Sequence, residues 1–185
     1  MSILSSRKLR YMKIKILSFC IFTLVLSGCD PTPNFNTIPS ISYNSIGSET
    51  ELDSNGKKIR ENVTISIDFE DGDGNLGATE SEINDYVNFR PPYGNWGNYE
   101  LITSRLENNK WVDRIMTTDS IKFFPLLKID GKVGPIKGKL DLHTTAYHTN
   151  NTKQVLFKFK VRIRDRALHV SNQVVTDSLY LPYYQ

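Results

Sequence analysis

Val155-Leu156-Phe157-Lys158-Phe159-Lys160-Val161-Arg162-Ile163-Arg164 changes character at every other residue. Val155, Phe157, Phe159, Val161 and Ile163 fall on one side of an extended chain, and Lys158, Lys160, Arg162 and Arg164 on the other. A period of two over this length reads as a β-strand with one buried and one wet face. Val63, Ile65, Ile67 and Phe69, alternating with Thr64, Ser66, Asp68 and Glu70, make a second such strand. Further strands are expected over residues 38–46, 86–90, 99–106, 111–117, 120–127, 136–145 and 173–181. Glu107-Asn108-Asn109-Lys110 is a hairpin turn, because asparagine tolerates positive φ. Roughly seven to nine short strands, with turn signals between most, predict an all-β antiparallel sandwich. An up-and-down barrel is the alternative.

Upstream the composition changes. Arg7, Lys8, Arg10, Lys13 and Lys15 precede an eleven-residue, almost wholly apolar run from Ile16 to Leu26. As a helix that run spans only about 16 Å, against about 30 Å for a bilayer core, so a lasting transmembrane helix is the poorer reading. Basic start, apolar middle and small residues at a cut form the secretory pattern. Leu26-Ser27-Gly28-Cys29 resembles the lipobox of bacterial lipoproteins. The resemblance implies a signal peptide over residues 1–28 and lipid on Cys29, and two or more acyl chains hold a protein on a membrane lastingly. Residues 29–39 then form a tether, in which Pro31, Pro33 and Pro39 favour extended chain. Residues 40–185 are read as one β domain.

The formal charge of +3 belongs largely to the leader. Five of the 23 basic residues precede Cys29 and no acid does, leaving 18 against 20 and a mature charge near −2. Nothing there points to nucleic acid. Cys20 leaves with the leader and Cys29 has no partner, so no disulfide forms within the mature chain and stability rests on the core.

Directly after the second strong strand comes Asp71-Gly72-Asp73-Gly74-Asn75-Leu76-Gly77. Asp71, Asp73 and Asn75 are two apart, and Glu82 is eleven beyond Asp71, the oxygen spacing of an EF-hand calcium loop. Leu76 stands where that loop needs glycine, and a strand rather than a helix precedes it, so this is not an EF-hand. A calcium loop of another frame and a bare glycine-rich turn both remain open. If residues 62–70 and 154–165 are strands B and F of an immunoglobulin-like sandwich, their following loops share one end. Asp165 then approaches Asp71 and Asp73; crowded carboxylates repel unless a cation or an arginine such as Arg164 or Arg166 sits among them, and Asp165 bound to nearby backbone or to an arginine stands beside Asp165 bound to calcium.

Lipobox, tether, strand, Asp-Gly-Asp-Gly-Asn-Leu-Gly, and the late Asp165-Arg166-Ala167 with Ser171-Asn172 together resemble small uncharacterised lipoproteins of Bacteroidetes-type bacteria. That resemblance implies an immunoglobulin-like β-sandwich at the cell envelope and no particular activity. The chain departs from it by an insertion over residues 91–98.

On the loop over residues 91–99, Tyr93, Trp96 and Tyr99 offer rings that either stack on a glycan or fold back over the core. The basic row 158–164 either meets an anionic surface or is paired across strands. His143 and His148, near Asp141, lack the converging spacing of a zinc site. There is no Gly-x-Ser-x-Gly, no free thiol after lipidation and no phosphate loop, and nothing supports Glu80 and Glu82 as a glycosidase pair. The chain is therefore expected to be no enzyme. It reads as a lipid-anchored binding or structural module at the outer membrane, with calcium at Asp71, Asp73, Asn75, Glu82 and Asp165. Its partners are the membrane, through the lipid, and an envelope protein or a glycan.

Overall fold

Alternating side chains sort the described residues into eight strands. The structure, a computed structural model, describes residues 33–149 and 153–183. The leader, Cys29 and the first tether residues lie outside that range. The strands are β1 (Ser40–Leu52), β2 (Lys58–Asp71), β3 (Tyr99–Glu107), β4 (Lys110–Arg114), β5 (Ile136–Tyr147), β6 (Gln154–Ile163), β7 (Val174–Val175) and β8 (Leu179–Pro182). They form two antiparallel sheets. One has the order β1-β2-β5; the other runs β4-β3-β6-β7, with β8 also on β6. No strand of one sheet is paired with a strand of the other, so the arrangement is an immunoglobulin-like sandwich and not a barrel.

The two strands that decided the reading face each other across the core. Val63, Ile65 and Ile67 of β2 and Phe157, Phe159, Val161 and Ile163 of β6 are all buried. Leu101 of β3, Leu142 of β5 and Leu181 of β8 fill the space between them. Such close packing of branched and aromatic side chains is what stabilises the sandwich.

Four expected elements differ. The first strand runs on to Leu52, because β1 pairs with β2 from Ser40↔Glu70 to Leu52↔Lys58. Residues 86–90 are turns and not a strand, with the Asp85 carboxylate accepting from the Val87 and Asn88 amides, and they lead into a 3-10 turn at Pro91–Tyr93. Residues 120–127 make only isolated bridges at Lys122 and Pro125, since proline cannot donate to a ladder. The last expected strand is split into β7 and β8. The Asn108-Asn109 turn is as read, with φ of 48° and 62°.

One end of the sandwich gathers the chain entering β1 and the loops after β2 and β6. Gly72 N donates to Asn36 O at 2.8 Å, and Gly134 N to Asp73 O at 3.0 Å. Leu76 and Asp165 form a bridge between the loops after β2 and β6. The β1–β2 and β3–β4 hairpins lie at the other end.

Candidate metal centre

Asp71 closes β2, opposite Ile136 of β5. Beyond it the chain must turn where other backbone crowds in. A Cβ at Gly72 would lie 2.4 Å from Phe35 O, and one at Gly74 (φ +72°) 2.4 Å from Gly134 O, so only glycine fits. The turn is closed by its own side chains. Asp71 Oδ2 accepts from Asn75 N at 3.0 Å, and Asn75 Nδ2 donates to Asp73 Oδ2 at 2.8 Å.

Asp165, just past β6, is held from the other sheet. Its Oδ1 accepts from His169 N at 2.7 Å and its Oδ2 lies 2.8 Å from His169 Nδ1. One carboxylate oxygen from each of Asp71, Asp73 and Asp165 then lies within 4.8 Å of the others. Asp71 and Asp165 have no exposed surface. Asp71 Oδ1, Asp73 Oδ1 and Asn75 Oδ1 are buried with no hydrogen-bond partner. Burial above all, then the charges of Asp73 and Asp165, push the Asp71 carboxyl up to about 6, against the amides of Asn75 and Gly74.

A buried acceptor left without a donor costs about 1–3 kcal/mol, and carboxylates this close repel through a poorly screening interior. One cation relieves both. The donors are all oxygen, which suits a hard ion such as calcium and not zinc. Asp71, Asp73, Asn75 and Asp165 are the residues that would hold it.

Glu82 does not join them. Thr79 caps a short helix, α1 (Glu80–Ile83), in a reciprocal capping box with Glu82. Glu82 Oε2 accepts from Thr79 N at 2.8 Å and from Arg166 Nη1 at 2.8 Å, while Arg166 Nη2 binds Glu82 Oε1. Arg166 chiefly, with Thr79, holds the Glu82 carboxyl down at about 2. Counting twelve residues from Asp71 assumed one continuous loop, and the chain instead turns into a helix at Thr79. The arginine alternative fails for the same reason. Arg166 is spent on Glu82, and Arg164 binds Tyr93 O at 2.9 Å and lies 3.7 Å over the Trp96 ring. Among the described residues neither pairs with Asp165.

The aromatic insertion folds back. Tyr93 is 3 % exposed and packs on Phe89 and Phe123; Tyr99 is 7 % exposed and packs on Phe124. Only Trp96 is half-buried, and Arg164 covers a face of it. The three rings do not form an open stacking platform. His143 bonds Thr64 Oγ1 and His148 pairs with Glu61, with no shared ion site. Two residues escaped the sequence reading. His169 orients Asp165, and the only signal was its place four residues on. Buried Asn98 bonds both the amide and the carbonyl of Phe124, at 2.8 and 3.0 Å, and pins the strandless 120–127 segment.

No family model, curated protein or solved structure matches the chain.

Proposed function

We propose that this chain is a lipid-anchored module of the cell envelope, held at the outer membrane, with a calcium ion bracing the loop end of its sandwich. The observation that carries the calcium reading is the set of three buried oxygens without donors, on Asp71, Asp73 and Asn75, facing a third carboxylate from the opposite sheet. The ion would tie β2 to the chain after β6, adding to the Leu76–Asp165 bridge that already links the two loops at this end. Leader and Leu-Ser-Gly-Cys29 support the anchor, and extracellular modules bind calcium with Kd of roughly 10⁻⁴–10⁻³ M. The role is binding or structural and not catalytic. A glycan at Tyr93, Trp96 and Tyr99 is the weaker reading, because two of its rings are buried.

Thermal melting in calcium against chelator tests the metal. A ligand at a hundred times its Kd adds about 2.7 kcal/mol, or roughly 5–10 °C for a domain of this size. The Asp71→Asn, Asp73→Asn double variant is expected to lose that rise. A wild-type Tm that ignores calcium overturns the metal site. Mass spectrometry of the membrane-extracted protein tests the anchor; an unmodified Cys29, or Met1 still attached, overturns it.

A further inference from the structure

Ile129 and Val133 are 89 % and 86 % exposed, the highest values among the large apolar side chains of the described residues. Next come Val87 and Tyr86, on the β2–β3 connection at the same end of the sandwich. Apolar side chains this bare on a loop tip mark a contact surface. The tip is also built, and does not merely hang free. Asp130 Oδ1 accepts from Lys132 N at 3.1 Å, Gly131 takes φ +67°, and Lys128 Nζ donates to Gly134 O at 3.1 Å. At its two ends Leu127 N bonds Leu76 O and Gly134 N bonds Asp73 O. The loop is thus braced on the acidic turn and leaves Ile129 and Val133 bare to solvent.

Two observations identify the occupant. The first is charge. The 125–135 loop carries Lys132 at its tip and Lys128 at its base against Asp130, while Lys137 and Lys139 on β5 stand opposite Glu70 and Asp68 of β2. Lysines beside bare apolar side chains on one loop fit anionic headgroups over an acyl layer. The second is chain length. Asn36 is bonded to Gly72, next to Asp73, so the tether enters the domain at this same end. Cys29 and Asn36 are seven chain steps apart, with six residues between them, and span at most about 25 Å fully extended. A lipid on Cys29 therefore keeps this end, and not the hairpin end, within reach of the bilayer.

We propose that the 125–135 loop docks on the lipid surface that holds the anchor, with Ile129 and Val133 entering the headgroup boundary and the lysines meeting anionic lipid. The proposal rests on the anchored reading above. Docking would fix the orientation of the sandwich, because the tether alone leaves it free to swivel. The hairpin end would then point outward to partners.

The test uses the acylated protein in vesicles of mixed zwitterionic and anionic lipid. Val133→Cys carries an environment-sensitive fluorophore; Cys29 is blocked by its lipid. The label is expected to shift to the blue and to be quenched by spin labels placed high in the acyl layer. The same label on Leu52→Cys, at the far hairpin, is expected to read as in water. A label at 133 that reads as water, or labels at both sites that read as lipid, overturns docking. The mass of Cys29 is measured on the same sample. An acylated Cys29 with an aqueous label at 133 sinks docking alone, whereas an unmodified Cys29 sinks the anchor and the docking with it.

Discussion

On the outer face of β6 four cations stand two residues apart, and register supplies each with a partner. Arg162 binds Glu100 on β3 at 2.7 Å, Lys160 binds Asp113 on β4, Lys158 lies 4.3 Å over Trp111, and Arg164 lies over Trp96. At the loop end three carboxylates crowd just as closely. Among the described residues no lysine or arginine pairs with any of them, and the one basic side chain in contact is His169, on Asp165. Like charges along a strand are harmless when the neighbouring strands answer them. Like charges drawn together from two sheets, with their oxygens buried, repel with no basic side chain between them, which is what the proposed calcium would answer.

That difference can be broken from either side. The largest expected effect is a change of sign. Without calcium, Asp71→Asn removes a buried charge whose ionisation is disfavoured and is expected to stabilise the protein at neutral pH by on the order of 2–3 kcal/mol. In saturating calcium the same variant is expected to be less stable than wild type. Chemical unfolding in the two buffers checks both signs, and destabilisation in both would make Asp71 a plain structural turn residue.

Next is Glu82, the acid at this end that does have its cation. Its carboxyl is depressed in the folded state, so its contribution is fully present above its ordinary value of 4.5 and is lost as pH falls through about 2. Solvent reaches Arg166, which leaves about 1–2 kcal/mol. The stability gap between wild type and Glu82→Gln is expected to shrink as unfolding is measured from pH 6 down to pH 2.

Glu100→Ala strands Arg162 on the strand face and is expected to cost about 1 kcal/mol by the same assay, since Glu100 is nearly buried. Asp113→Ala, at an open pair, is expected to cost about 0.5 kcal/mol or less.

What the chain revealed before its structure follows the same division. The alternation in β2 and β6 was legible because their two faces meet different solvents, and the meeting of Asp71, Asp73 and Asp165 followed from placing those strands as B and F. Glu82 was misplaced although Thr79-Glu80-Ser81-Glu82 spells a capping box; the EF-hand spacing drew it to the wrong oxygens. Residues 86–90 and 120–127 looked extended, but their structure depends on Asp85 and Asn98 binding backbone, which no periodicity records. The partners of the basic row became visible only with the β3–β6 and β3–β4 registers.

Equilibrium dialysis of chelator-stripped protein against radioactive calcium tests the central claim most directly. The account predicts a single ion held per wild-type chain and none on the Asp71→Asn, Asp73→Asn variant. A wild-type chain that retains no calcium, or a double variant that retains as much, contradicts it.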